Sequence, residues 1–459
     1  MGIGEHVRRY AVVGAGISGL AAAWELSGHG SVTVYDPESP GGKLRTGTFE
    51  GRAVDLGPDA FLTRVPDAVE LCAELGLSDE LVAPTTGAAM LWTDTGLVAM
   101  PPGLVLGVPR DMRGIRRSSI LSRAGVARAA LDRVLPARRG DEDRSVFDLV
   151  AGRFGTQVAS RLVDPLVGGI HAGRTEELSA QATTPQLFAA ATGRSRSMMS
   201  ALRDTPAPES EPMFLTPRDG AARLVARLVE RLEQRGVTLR PVAVDTLVVT
   251  DGGRLAVDAE VGPFDGVVLA VAADCAAAIL GELGPGELTG IPTASVALVL
   301  VSYDATELTP PPGISGFLVP RSTGRLMTAC SFASTKWPHW ATPGTTLLRL
   351  SAGRAGDRRS ESMGDDELVE RLSAEVDDAL GVRATMRSVR VTRWPNSFPQ
   401  YQVGHLDRVA AIEATLGRLG APVAVAGASY HGAGIPACIA SGRRAGASVA
   451  EGMAAGARA

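Results

Sequence analysis

The chain has 459 residues, 45% of them hydrophobic and 21% charged, with a formal net charge of −4. That length exceeds what one compact core organises, so two or three domains are expected, and the balance excludes a disordered or fibrous protein. The near-neutral charge and the lack of any long Lys/Arg block argue against nucleic-acid binding.

Residues 10–13 form a β-branched run ending in Gly-Ala-Gly, 17–26 reads as an Ala-rich helix closed by Ser27-Gly28-His29-Gly30, and 31–35 reads as the next strand. Arg8-Arg9 ahead of the apolar run 10–24 has the outline of a twin-arginine export signal. The run carries glycines at nucleotide-binding spacing and leads straight into another strand, so it is read as folded. No apolar stretch reaches the roughly 18 residues needed to cross a bilayer. Residues 66–75 and 79–82 read as helical, and 91–100 as a hairpin around Asp94-Thr95-Gly96.

From 101 to about 210 the chain is turn-rich, then basic and helical. Arg113, Arg116, Arg117, Arg123, Arg128, Arg133, Arg138 and Arg139 are spaced among Leu, Val and Ile, as in an amphipathic cap or a membrane-surface module. A solvated helical face is equally open, because Asp132 and Glu142 interrupt the basic side. A helix follows over 221–235 with Leu224, Leu228 and Leu232 on one stripe, then strands over 238–249 and 266–270 that should rejoin the first sheet. Residues 295–303, 316–319, 326–331 and 345–350 read as an antiparallel sheet with a helix at 365–380 beside it. A buried strand at 423–426 precedes a C-terminal helix opened by Gly434-Ile435-Pro436.

Four motifs carry chemistry. Gly14-Ala15-Gly16-Ile17-Ser18-Gly19 lies between a strand and a helix, where missing side chains let backbone approach a pyrophosphate at the positive helix end. Asp36 ends the next strand, 20 residues beyond Gly16, where a carboxylate binds ribose hydroxyls and repels a 2′-phosphate. Gly41-Gly42-Lys43-Leu44-Arg45 comes next, a second clamp that a one-dinucleotide nicotinamide enzyme does not need. Behind a βαβ unit it points to FAD, although alone it could be a basic turn. Gly57-Pro58-Asp59 offers another tight approach, with its Asp equally suited to forming a turn. Near the other end, the run Gly427 through Tyr430 to Gly434-Ile435-Pro436 follows a strand and opens a helix. Its N–H groups suit the flavin edge that becomes anionic on reduction, a plain Gly-rich connection being the alternative.

His431 in that run is a candidate base, although a loop histidine is more often simply hydrogen-bonded. The other histidines, His6, His29, His171, His339 and His405, show no metal spacing, and Cys72, Cys275, Cys330 and Cys438 form no C-x-x-C pair. No metal site is expected, and a reducing cytoplasm fits.

These motifs in this order resemble the amine-oxidase-like flavoprotein superfamily. Longer segments narrow the likeness to the protoporphyrinogen/coproporphyrinogen III oxidases: Ser145-Val-Phe-Asp with Arg153-Phe-Gly, residues 164–173 (DPLVGGIHAG), Lys336-Trp-Pro-His, residues 394–408 (WPNSFPQYQVGHLDR) and the C-terminal Gly-rich run. The resemblance implies an α/β fold: a Rossmann-like FAD-binding domain (1–90, 215–285 and 390–459), an antiparallel-sheet substrate domain (91–100, 185–214 and 286–389) and a helical cap or membrane-surface module (101–184). It also implies that Trp394 lies along the FAD, that Val244 offers backbone groups to the adenine, that Arg64 pairs with a propionate, and that Gly169, Ile170, Leu318 and Cys330 line the macrocycle site. Arg64 could instead cap the following helix, and Cys330 could be inert packing. Two departures fall near the expected pocket, Arg218-Asp219-Gly220-Ala221-Ala222 where a Gly-Gly-Met/Leu run is usual, and Ala437 where an Asp is common.

The activity this resemblance implies is oxidation of coproporphyrinogen III in haem biosynthesis. Hydride passes from meso carbons to FAD and dioxygen accepts six electrons in all, giving hydrogen peroxide, with no catalytic side chain assigned. Coproporphyrinogen has four propionates and protoporphyrinogen two. The soluble character and Arg-rich coding bias place the chain nearer the Gram-positive coproporphyrinogen branch. Protoporphyrinogen IX oxidase, a flavin amine oxidase and a non-catalytic porphyrin or flavin carrier are the alternatives. Contact with a membrane surface or another haem-pathway enzyme through the basic module is a further expectation.

Overall fold

The computed structural model describes residues 7–135, 140–193, 195–204, 212–250, 253–258 and 263–456. His6, Arg138 and Arg139 lie outside the described residues. The chain forms two compact units, residues 1–83, 212–291 and 406–459 making one and residues 84–211 and 292–405 the other. Among the described residues no helix is long and apolar enough to cross a membrane.

The first unit is built on a five-stranded parallel sheet in the order Thr238–Arg240, Ser31–Tyr35, Arg9–Val13, Gly266–Leu269, Val423–Val425. A sheet covered on both faces calls for strands that are apolar on both sides. The central strand shows it: Tyr10 and Val12 point into one core with the helices Ile17–Leu26, Ala222–Gln234 and Ile435–Gly456, while Ala11 and Val13 point into the other. Leu224, Leu228 and Leu232 are buried as one stripe on the second of those helices. Residues 79–82 are helical only over their first half. A single 3-10 turn, Ser78–Glu80, leads into the strand Leu81–Val82, which pairs with Phe214–Pro217. Long-range pairing overrides a weak local helix preference there.

The second unit contains a seven-stranded sheet in the order Met386–Pro399, Thr293–Asp304, Thr345–Ala352, Met327–Ser331, Gly316–Leu318, Ala89–Thr93, Gly96–Ala99. All its pairs are antiparallel except Gly316–Leu318 with Ala89–Thr93. The edge strand Met386–Pro399 holds Pro395, which cannot donate to a ladder. The register shifts between Ala294 and Val296 opposite it, and Asn396 takes φ 48, so the proline is accommodated in a bulge.

The helical part of this unit packs Met112, Ile115, Ile120, Leu121 and Ala129 into its own core. Arg113, Arg116, Arg117, Arg123 and Arg133 are exposed, while Arg128 turns back to the carbonyls of residues 151–153. One buried ion pair fixes the arrangement. Asp132, fully buried, receives Arg153 Nε at 2.9 Å, the Ser197 hydroxyl at 2.6 Å and the Met198 and Met199 amides.

Candidate functional site

The strand–turn–helix start of the first unit forms a backbone-lined cradle. Gly14 has φ 102, and a Cβ there would lie 2.5 Å from the Ala270 carbonyl oxygen, so the turn itself demands glycine. Gly16 is different. A Cβ there would meet nothing within 4 Å, and Gly16 is the N-cap of the helix Ile17–Leu26 with no side-chain cap. The amides of the first turn are thus left for an anion, with open space above them.

Asp36 is aimed by its loop. Its Oδ2 accepts the Ala15 amide at 2.7 Å and its Oδ1 the Glu38 amide at 2.9 Å, which leaves each oxygen a second lone pair for a ribose hydroxyl. The Asp36 amide donates to the Arg240 carbonyl, tying the adjacent edge strand to the same corner. Val244 lies beyond that strand, 9% exposed, with Tyr35 and Val13 in its core. Its backbone N–H and C=O make no hydrogen bond to the described residues. A buried backbone pair without partners is uncommon and fits the donor and acceptor edge of an adenine.

The second glycine pair docks on the first. Gly41 donates to the Ala15 carbonyl at 2.8 Å, and a Cβ on Gly42, at φ 57, would come 3.3 Å from Gly16 Cα. Leu44 is buried beneath and donates to the Gly41 carbonyl, while Arg45 binds the Gly42 carbonyl and pairs with Glu38. Lys43 keeps solvent access, yet surrounding protein holds its pKa below the ordinary lysine value, with the Cys438 thiol acting against that. Gly57 is buried, Pro58 exposed and Asp59 half-buried after the hairpin Thr46–Phe49/Arg52–Asp55.

The hairpin is held by a network that sequence reading missed. Asp55 Oδ1 accepts both the Thr46 hydroxyl and the Ala221 amide at 2.8 Å. Gly220, at φ 91, has no room for a Cβ, which would lie 2.4 Å from Thr46 Oγ1. The signal was present in Asp219-Gly220, noted only as a departure from a usual motif.

The two ends of the chain meet in this unit. A Cβ on Gly442 would lie 2.0 Å from the Ser18 carbonyl, so the helices Ile17–Leu26 and Ile435–Gly456 touch backbone to backbone. A Cβ on Gly427, at φ 124, would lie 3.9 Å from Ser18 Oγ, and its amide donates to Ser441 Oγ at 3.1 Å. Tyr430 is fully buried and its hydroxyl pKa is raised by burial, while Gly434 is exposed ahead of buried Ile435 and Pro436. His431 shares a 2.7 Å hydrogen bond with Glu413 through Nε2. Burial also pushes the Cys438 thiol up, with the Ser18 hydroxyl and Lys43 opposing.

Arg64, in the turn after Phe61–Leu62, is exposed and makes no hydrogen bond or ion pair to the described residues. The remaining expected residues belong to the second unit. Gly169 and Ile170 follow a π-helix, Ala159–Gly168, whose wide turns accommodate Pro165, and Ile170 is 53% exposed. Leu318 Cδ2 lies 4.0 Å from a Cβ placed on Gly169, while Cys330 is buried in the core, where burial raises its thiol pKa. Gln400 donates to the His171 carbonyl at 3.0 Å, joining two of the telling segments, and Trp394 occupies the edge strand with its carbonyl accepting the Ser397 hydroxyl.

Comparison with known proteins finds likeness to flavin-containing oxidoreductases. The profile for flavin containing amine oxidoreductases matches residues 17–450. The chain is 34% identical to the coproporphyrinogen III oxidase of Mycobacterium leprae over 93% of this chain and 95% of that protein. It is 30% identical to the coproporphyrinogen III oxidase of Bacillus subtilis, over 92% and 94%. A solved structure from Exiguobacterium sp., named as a candidate protoporphyrinogen oxidase, superposes with a TM-score of 0.88 at 28% identity, covering 98% of this chain and all of that one.

Proposed function

This chain belongs to the flavin-containing amine oxidoreductase family and, within it, to the coproporphyrinogen III oxidases, and we propose that it oxidises coproporphyrinogen III to coproporphyrin III in haem biosynthesis. The observation that carries the reading is full-length likeness to enzymes of that name, in a chain that also holds a glycine cradle suited to a dinucleotide. FAD is that cofactor, and when bound it supplies the hydride acceptor.

Each group in the cradle has a task. The uncapped first turn at Gly16 faces the pyrophosphate, Asp36 the ribose hydroxyls and the Val244 backbone the adenine. Gly41 and Gly42 bring a second stretch of backbone up to the first, and the run from Gly427 to Pro436 supplies donors for the isoalloxazine edge. Arg64, exposed and without an ion-pair partner among the described residues, is the guanidinium we assign to a substrate propionate. Gly169, Ile170 and Leu318 are assigned to the macrocycle wall, Trp394 to the cofactor's surroundings, and Cys330 to packing behind that wall.

Three two-electron oxidations convert porphyrinogen to porphyrin. Dioxygen is the acceptor we assign, with hydrogen peroxide as product. The test is anaerobic mixing of the yellow holoprotein with coproporphyrinogen III and with protoporphyrinogen IX. Bleaching of the flavin band by the first, faster than by the second, followed by peroxide on admission of air, is the expected result. A band unmoved by either porphyrinogen would refute the assignment.

A further inference from the structure

The turn Arg354–Asp357 in the second unit gathers more positive charge than its neighbours neutralise. Arg359 is paired with Asp357 and Arg174 with Glu177. Arg354 and Arg321 have no such partner among the described residues. Arg354 is only 9% exposed; its Nη2 donates to the Arg325 carbonyl at 3.2 Å, its Nε is sealed off without a partner, and Nη1 bonds none of the described residues. Arg321 spends Nη1 and Nη2 on the carbonyls of Ala355 and Gly173, and its Nε is also buried without a partner. Neutral carbonyls satisfy donors but do not balance charge, and an uncompensated buried charge is costly.

The nearby carboxyl that faces both is Asp164, which lies outside ion-pairing distance and is already engaged by the Thr175 hydroxyl. Burial holds its pKa above the ordinary aspartate value, and Arg321 and Arg354 draw it back. The Arg354 guanidinium has its own pKa lowered, by desolvation first and by Arg321 next, with Asp357, itself held by Arg359, and Asp164 opposing. The group is therefore short of negative charge.

Its place in the fold suggests what supplies it. Arg321 follows Leu318 by three residues, and Leu318 touches the position of Gly169. The Ala355 amide donates to the Ala172 carbonyl at 2.7 Å, so the arginine turn is fastened to the loop that ends the π-helix. We propose that Arg354, supported by Arg321, receives a propionate carboxylate that coproporphyrinogen carries and protoporphyrinogen lacks, and so sets the preference between them. This rests on the assigned porphyrinogen oxidation.

The experiment measures binding of coproporphyrin III and of protoporphyrin IX to the FAD-loaded protein by quenching, in wild type, Arg354→Gln, Arg354→Lys and Arg321→Gln. Losing a charge-assisted carboxylate contact should weaken coproporphyrin binding about tenfold in either Gln variant, with protoporphyrin changed less than about threefold. Arg354→Lys, which keeps the charge, should recover part of the difference. FAD content and thermal midpoint should hold in Arg354→Gln, because the variant removes an unpaired buried charge. Equal weakening for both porphyrins, no weakening, or a fall in midpoint that Lys restores without restoring the preference would overturn the proposal. A wild-type protein that binds coproporphyrin but never oxidises the porphyrinogen would instead sink the assigned reaction and leave this carboxylate site standing.

Discussion

Replacing Gly14 and Gly16 by alanine, one at a time, separates a glycine required by the chain from one required by the cofactor. At Gly14 the added methyl meets the Ala270 carbonyl oxygen at 2.5 Å and its carbon at 2.9 Å, in a backbone at φ 102. Positive φ costs an L-residue about 1–2 kcal/mol and an overpacked contact about 1–3 kcal/mol, so a loss of about 2–5 kcal/mol is expected from the fold itself. At Gly16 the backbone is ordinary, φ −67, and no atom lies within 4 Å of the added methyl. A poorer N-cap and a less flexible unfolded chain offset each other to within about 1 kcal/mol. The methyl instead enters the space over the uncapped amides. Losing one charge-assisted hydrogen bond there, about 1.5–3 kcal/mol, weakens FAD tenfold to a hundredfold. Thermal midpoints of the apoproteins and FAD titrations followed by flavin fluorescence measure both. If Gly16→Ala lowers the apoprotein midpoint as far as Gly14→Ala does while holding FAD as tightly as wild type, the cradle has been misread.

Arg64→Ala should raise the apparent KM for coproporphyrinogen about tenfold with flavin content unchanged, as expected for one charged hydrogen-bonded contact. Loss of the yellow colour would place Arg64 at the cofactor instead. Arg153→Ala strands the Asp132 carboxylate, which is fully buried, and should cost about 3–5 kcal/mol in urea unfolding. A change below about 1 kcal/mol would mean that the Ser197 hydroxyl and the Met198 and Met199 amides suffice alone. His171 is held neutral in the folded state, its pKa pulled down from 6.5 to about 4 by desolvation. The unfolded chain therefore binds the extra proton between those values, and stability should fall as pH drops from about 6.5 towards 4, by at most about 1.4 kcal/mol per unit. His171→Gln should flatten that part of the profile in denaturant midpoints taken at pH 7 and 5. An unchanged slope would assign the loss to other groups.

What could be read from the residues followed from how local each rule is. The parallel sheet was legible because buried strands are short apolar runs and the helix Ala222–Gln234 repeats leucine at its own period. The glycine cradle was legible because backbone approach to a phosphate admits few alternatives between a strand and a helix. The helix expected over 79–82 runs only to Glu80, because so few residues carry too little periodicity to reveal the strand Leu81–Val82, whose partner, Phe214–Pro217, is remote in sequence. The edge strand Met386–Pro399 was hidden by Pro395, which becomes tolerable only once a bulge in the facing register is known.

The side chains that set up the site were harder still, since their meaning lies in what they meet. Ser145-Val-Phe-Asp reads as a signature, but its visible work is a helix cap in which Ser145 Oγ accepts the Asp148 amide at 3.0 Å. Gln400 lies in another signature, and only the fold brings it to the His171 carbonyl. Arg354 is the extreme case. As one of many arginines it carries no signal in the sequence, because what sets it apart is a missing counter-charge in a place from which water is largely excluded. A sequence shows which charges are present; only packing shows which remain unbalanced, and an unbalanced buried guanidinium is the kind of group a substrate with two additional carboxylates can recognise.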